Sequence, residues 1–215
     1  MPSASSTTFE PDAPAPSFEV RSSYLDQAVI GYLLYGVGAV TAFLAVVLSL
    51  SDAEAALHSS ALAVGIATAG LAGDRLDALV GARPAHAAAY LLLAVASVCL
   101  ATAPAYLVTL AGAAAAGLGT GLLLAHVNRT LTRGGGPLAR VRMARAALVA
   151  MVASLSVPLV IGLGENSGIG WQLAFVPAGL LILVGRGIAS TPGHAQPDQD
   201  QEAGRDERQL PADAA

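Results

Sequence analysis

The 215-residue sequence is 54% hydrophobic and only 12% charged, with a formal net charge of −4. A soluble domain carries about 25% charged residues, so this chain lacks the polar side chains that would cover a surface facing water. Its apolar residues form runs of about 20, the length of a helix that crosses the hydrocarbon layer of a membrane. The composition therefore excludes a soluble protein. It predicts an all-α integral membrane protein that is surrounded by the lipid bilayer and has no nucleic-acid partner.

The two ends of the chain differ in composition from its middle. Residues 1–23 are rich in Ser, Pro and Thr, and residues 187–215 are polar, with Pro, Gln and Asp. Both segments are predicted to be disordered tails. The first segment lacks the basic start and early apolar run of a signal peptide. Residues 24–186 form the predicted membrane domain.

Six transmembrane helices are predicted within this domain. They cover residues 28–50, 57–73, 85–103, 105–127, 143–164 and 168–184. The acidic residues Asp26, Asp52, Glu54 and Glu165 fall at the ends of these helices or between them. Because proton relays in membranes normally use a charged side chain inside a helix, this chain alone is not expected to couple transport to protons.

The basic residues indicate the orientation of the bundle. The chain has eleven of them, and all are arginines. With six helices, every arginine falls in a tail, between helices two and three, or between helices four and five. All these segments lie on one side of the membrane. Because basic loops stay in the cytoplasm, we expect a multi-pass protein of the cell (plasma or inner) membrane with both termini cytoplasmic.

Small residues recur at every fourth position in helices two and four, which lets a neighbouring helix approach closely in lipid. Helix five contains a proline. We assign these residues to helix packing: Gly65, Ala69, Gly73, Gly117, Gly121 and Pro158. The glycines of helix four do not indicate a nucleotide-binding loop, because no strand precedes them.

Helix two is expected to end in a charged loop, and the segment contains Gly70, Asp74, Arg75, Gly81 and Arg83. This segment resembles the signature loop between helices two and three of the major facilitator superfamily (MFS) of transporters.

A second stretch carries the same resemblance. Gly170, Trp171 and Phe175 are similar to the family's Gly-Trp-Arg-x-x-Phe at helix six, with Gln172 in place of Arg. The resemblance covers residues 24–186 and implies the amino-terminal six-helix half of an MFS transporter, a 3+3 helical repeat.

The resemblance implies roles for some of these residues. In the family, the carboxylate at the position of Asp74 looks like a conformational latch that contacts the opposite half of the transporter. The alternative for Asp74 is a place in a solvated loop that only fixes the membrane topology. Helices one and four line the family's substrate cavity, so Tyr32, Tyr35 and Thr41 are candidate cavity residues. Their alternative is two tyrosines at the membrane interface and a threonine bonded to its own backbone.

Candidates for other chemistry are few. His58 and His126 lie near predicted helix ends, where a proton-relay role competes with simple tolerance of an imidazole. The sequence shows no metal-ligand spacing, nucleophile motif or pair of catalytic carboxylates. We therefore expect neither an enzyme nor a bound cofactor or metal.

Two functions remain, and they belong to different classes. The first is a half transporter that moves a small solute by alternating access, with a second transporter half or as a homodimer. The second is a non-transporting membrane subunit or scaffold with a degenerate MFS half fold. The chain also matches what a truncated piece of a twelve-helix transporter would contain.

Helices two and five are expected to form the contact with the second half. In addition to the small residues of helix two, helix five places Ala146, Ala150 and Ser154 at four-residue spacing. Filling the groove at Gly65 and Ala69 with leucine is therefore predicted to weaken association.

Overall fold

The computed structural model describes residues 18–133 and 135–190, except for the side chains of residues 74 and 188–190. Most of each predicted tail, residues 1–17 and 191–215, therefore lies outside the described residues. Any role of the Asp74 side chain as a latch also lies outside them.

The described residues form an all-α bundle. Its elements are α1 (Phe18–Val47), α2 (Asp52–Val80), α3 (Ala82–Thr102), α4 (Tyr106–Thr132), α5 (Gly136–Ser167), a 3-10 helix (Trp171–Ala174) and α6 (Phe175–Ser190). The first five α-helices contain segments long and apolar enough to cross a membrane. α6 has only 16 residues, whereas a span needs about 20. The residues before α6, which follow Gly170, form the 3-10 helix and do not lengthen the α-helix. The sixth crossing therefore stays a prediction.

α1 begins well before its predicted start at residue 28. The hydroxyls of Ser22 and Ser23 donate to the Glu19 carbonyl oxygen at 2.9 and 3.0 Å. Val20 is only 3% exposed. Residues 18–23, which we expected to be disordered, are therefore helical and packed on the bundle. Asp26, expected at the helix end, lies inside α1.

α2 continues through the segment that we expected to be a charged loop. α2 contains no proline, and the first glycine with a positive φ is Gly81, whose φ of +89° is readily adopted by glycine and ends the helix. Asp74 and Arg75 are consequently helical.

α5 also begins earlier than predicted. Pro137 lies in its first turn, where the missing N–H of proline costs nothing. The arginines at 140, 142 and 145, expected in a loop, occupy the first turns of this helix.

Successive helices run in opposite directions, because the starts of α1 and α3 and the ends of α2 and α4 lie at the same end of the bundle. The start of α1 contacts the start of α3 through Asp26 and His86. The end of α4 contacts the end of α2 through Arg129 and Asp77. The arginines of the described residues lie at this end, which we call the arginine-rich end: Arg21, Arg75, Arg83, Arg129, Arg133, Arg140, Arg142, Arg145 and Arg186.

The small residues of α2 pack on α4 within the bundle. A Cβ atom at Gly65 would lie 2.6 Å from the Ala114 carbonyl oxygen, and one at Gly121 would lie 2.7 Å from the Ile66 carbonyl oxygen. Ala69 is 3% exposed. The two helices are therefore in backbone contact, and leucine at Gly65 would separate them.

The small residues of α5 pack on α1 in the same way. A Cβ atom at Gly31 would lie 2.7 Å from the Ala150 Cα, and the Ser154 hydroxyl donates to the Gly31 carbonyl oxygen at 3.0 Å. Ala146 is 2% exposed. The prediction that these small residues of α2 and α5 contact a second half is therefore wrong. The spacing identified their close-packed faces, but those faces meet α4 and α1.

Candidate functional site

A buried carboxylate lies between α1 and α3 near the arginine-rich end. Asp26 is 2% exposed. The Tyr90 hydroxyl donates to its Oδ1 atom at 2.6 Å, and His86 Nε2 lies 3.2 Å from each of its oxygens. The expectation that the acidic residues lie at helix ends or between helices is therefore wrong for Asp26.

A second histidine completes the cluster from α4. The rings of His86 and His126 have centroids 4.5 Å apart. One potential ligand atom from each of Asp26, His86 and His126 lies within 4.8 Å of the others. We call these three residues, with Tyr90, the His–Asp cluster. It joins α1, α3 and α4.

Helix spacing builds the α3 side of this cluster. His86 and Tyr90 are four residues apart, so their side chains lie on one face of the helix. Tyr90 is fully buried, and α6 gives it room through Gly185, where an added Cβ atom would collide with the tyrosine ring and hydroxyl. A side chain at Gly185 would displace the tyrosine that holds Asp26.

A cavity of about 240 Å³ adjoins the cluster. Its lining residues come from α1, α3 and α4: Glu19, Ser22, Ala82, Arg83, His86, His126, Thr130 and Arg133. Arg133 pairs with Glu19 at 3.0 Å, but both side chains are exposed, so this ion pair is worth at most about 1 kcal/mol. The cavity gives solvent a path to the two imidazoles.

An ion pair joins α2 and α4 at the same end of the bundle. Arg129 of α4 pairs with Asp77 of α2, whose side chain is 16% exposed. This ion pair fixes the last turns of α2 against α4.

The opposite end holds a separate buried histidine. His58 Nδ1 donates to the Glu54 carbonyl oxygen at 3.1 Å, and its Nε2 lies 2.9 Å from Thr109 Oγ1. Ser51 and Glu54 form a reciprocal cap at the start of α2. The ring therefore has a partner at each nitrogen and ties the starts of α2 and α4 together.

The residues of the predicted conformational motif do not form one group. Gly70 and Arg75 are exposed, and Gly81 forms the break between α2 and α3. Arg83 alone among those with described side chains lines the cavity beside the His–Asp cluster.

The predicted cavity residues are also dispersed. The Tyr32 hydroxyl donates to the Ala174 carbonyl oxygen at 2.7 Å and so fastens α1 to the 3-10 helix. Tyr35 is 53% exposed, and Thr41 donates to its own helix at Val37. The hydroxyl proton of Tyr32 is used in this buried contact, and the cavity role of Tyr32 stays a prediction.

Among the residues assigned to helix packing, Pro158 differs from the glycines. It lies inside α5 with its side chain exposed. The neighbouring Val157, which is fully buried, makes the contact with the bundle. The assignment of Pro158 to helix packing therefore stays a prediction.

The sequence patterns did not identify His86 as a site residue and placed Asp26 at a helix end. The available signal was the spacing of His86 and Tyr90, which places two polar side chains on one face of an otherwise apolar helix. It gave no indication of the partner, because His86 and Asp26 are 60 positions apart.

Comparisons with known proteins show what the fold resembles. The sequence matches no family model and no curated protein. The structure is similar to a crystal structure of the peptide transporter POT, a mutant in complex with sulfate, with a TM-score of 0.66 and 18% sequence identity. The similarity covers 88% of this chain and 43% of the transporter chain. The chain thus spans less than half the length of that transporter.

These findings define the class of fold. The bundle has a helical membrane fold similar to part of that peptide transporter. The resemblance seen in the sequence is confirmed at this level. At this identity the likeness carries the fold alone, because one fold hosts many functions.

Proposed function

We propose that the chain is one half of a membrane transport protein of the MFS type, which moves a small solute by alternating access with a second half or as a homodimer. The observation that supports this most directly is the similarity to 43% of a transporter chain. Solute sites in such proteins lie between two repeated bundles, so a complete pathway needs a second bundle.

The distribution of buried surface also supports a missing partner. In the spanning segments of α2 and α5, 22% and 17% of the residues are buried, compared with 50% in α1 and α4. Large apolar side chains cover the exposed faces of these two helices: Val64, Leu71, Leu148, Met151, Val152, Leu155, Leu159 and Leu163. A second bundle would cover part of this surface, and lipid the rest.

Two polar atoms inside the bundle have no partner among the described residues. They are Oε1 of Gln27 on α1 and Oγ1 of Thr120 on α4. A buried polar atom without a hydrogen bond costs free energy, so these atoms favour a polar occupant near them. In the MFS transporters that the sequence resembles, the helices equivalent to α1 and α4 line the substrate cavity.

The proposed location is the cell membrane, with the arginine-rich end in the cytoplasm. The arginines of the described residues support this orientation, because basic segments next to membrane helices are retained on the cytoplasmic side.

The function is tested by measuring flux through purified protein in liposomes. Labelled di- and tripeptides are the first solutes to test, because the similar structure is that of a peptide transporter. If two copies form one pathway, flux per liposome should rise with the square of protein density at low density. A linear rise at densities where cross-linking detects only monomer would indicate that one copy suffices and would contradict the half-transporter assignment.

A non-transporting subunit is the second candidate. It is favoured by the dispersal of the conformational motif. Gly70 and Arg75 are exposed, and of the motif residues with described side chains only Arg83 lines the cavity. This function predicts stable association with another membrane chain or a second copy and no solute flux at any density. A piece of a twelve-helix transporter would instead become active when it is expressed with the other half.

A further inference from the structure

We propose that Asp26, His86 and His126 form a binding site for one divalent transition-metal ion of the zinc class. The sequence predicted no metal site, because no two of these residues are close in the chain. The fold brings them together from three helices, with one ligand atom of each within 4.8 Å of the others.

The type of ligand selects the type of metal. Two imidazoles and one carboxylate are a donor set that suits Zn²⁺ and its neighbours in the first transition series. Ca²⁺ and Mg²⁺ prefer sites built from oxygen atoms. The cluster therefore favours a transition metal over the alkaline-earth ions.

The distances suit coordination with little rearrangement. Zn–N and Zn–O bonds of about 2.0–2.1 Å in a tetrahedral site place two ligand atoms about 3.3 Å apart. His86 Nε2 lies 3.2 Å from both oxygens of Asp26. Rotation of the His126 side chain, whose ring centroid lies 4.5 Å from that of His86 with the two rings tilted by 31°, would bring the third ligand into range. The ion takes the place of the Nε2 proton, which leaves to solvent.

The surroundings hold the carboxylate ligand in place. Tyr90 donates its hydroxyl proton to Asp26 Oδ1 at 2.6 Å, the kind of outer contact that orients ligands in metal sites. The side chains of Asp26 and His86 are 3% and 10% exposed, so little water competes for them.

The cavity beside the cluster gives a metal ion access to the site and provides an open position for a fourth ligand. His86 and His126 both line it, so an ion can reach them from the arginine-rich end. The arginines in its wall, Arg83 and Arg133, favour an anion or a water molecule as the fourth ligand. Three protein ligands with one open position are typical of zinc sites that exchange a ligand.

The site is tested by titrating the full chain, purified without a histidine tag and treated with a chelator, with Zn²⁺ in a calorimeter. We expect one ion per chain and no comparable binding of Mg²⁺. Asp26→Asn, His86→Gln and His126→Gln should each weaken binding more than tenfold. Tyr90→Phe should weaken it about 10- to 100-fold, as loss of an outer-shell partner does. His58→Gln, at the opposite end, is the matched control and should bind like the parent.

A gain-of-signal variant keeps the test independent of stability. In His126→Cys, bound Co²⁺ should acquire the near-ultraviolet charge-transfer band of a cobalt–thiolate bond. The parent, which retains Cys99, and His58→Cys should show no such band. The proposal is overturned if the parent shows no saturable Zn²⁺ binding, if His58→Gln loses as much affinity as the cluster variants, or if His126→Cys lacks the band.

Discussion

The Tyr90 hydroxyl on α3 donates a 2.6 Å hydrogen bond to Asp26 on α1, in a part of the bundle from which solvent is excluded. The same carboxylate contacts His86. A carboxylate that is buried to this extent is costly unless its oxygens are paired. Tyr90 and His86 together provide that pairing and connect two helices that are remote in the sequence.

Tyr90→Phe should therefore destabilise the protein. The variant removes the hydroxyl and leaves Asp26 Oδ1 with fewer donors, at an expected cost of about 1–2 kcal/mol, near the upper range for hydrogen bonds between membrane helices. Thermal unfolding in detergent measures the change. Tyr35→Phe is the control, because Tyr35 is 53% exposed. Equal stability of the two variants would contradict a structural role for the Tyr90–Asp26 bond.

The packing of α2 on α4 leads to a second prediction. Gly117→Ala should lower stability by about 1–3 kcal/mol through overpacking, because its Cβ atom would collide with the Leu62 carbonyl group. Gly70→Ala, on the same pair of helices, has no atom within 4 Å of its added Cβ. It should raise stability by up to about 1 kcal/mol, since alanine favours helix. A loss of stability in Gly70→Ala as large as that in Gly117→Ala would refute this account.

The small-residue spacing illustrates what the sequence could predict and what it could not. The spacing assigns Gly65, Ala69 and Gly117 to helix packing because it defines a narrow face of small residues, and these residues lie where α2 and α4 approach each other closely. Spacing does not identify the neighbour, so the contact was assigned to a second bundle when it lies within this one. The apolar runs predicted that helices exist, but their ends were wrong where polar residues continue a helix, as at Arg75.

The His–Asp cluster shows the same limit more sharply. Each member is unremarkable in the sequence, and Asp26 was assigned to a helix end. Their meeting depends on the relative register of α1, α3 and α4, which no local pattern specifies. The expectation that this chain lacks proton coupling rested on the absence of a carboxylate inside a membrane helix, and buried Asp26 removes that basis.

The orientation of the bundle can be tested by labelling in intact cells. Single cysteines would be introduced in a Cys99→Ser background at Ala53, Asn166 and Leu138, all of which are exposed. If the arginine-rich end is cytoplasmic, Ala53→Cys and Asn166→Cys should react with an impermeant thiol reagent from outside. Leu138→Cys should react only after the cells are opened. The reverse pattern would place both termini outside.

The contact with a second bundle is expected on the exposed faces of α2 and α5, opposite their small residues. These are the least buried spanning segments among α1 to α5. In a Cys99→Ser background, Leu71→Cys on α2, 85% exposed, and Leu155→Cys on α5, 65% exposed, should form cross-linked dimers in native membranes. Val98→Cys on α3, 62% exposed, is the matched control and should stay monomeric. Cross-linking at Val98→Cys but not at the other two positions would move the interface to α3. Monomer at all three positions would argue against a homodimer and leave a separate second half as the partner.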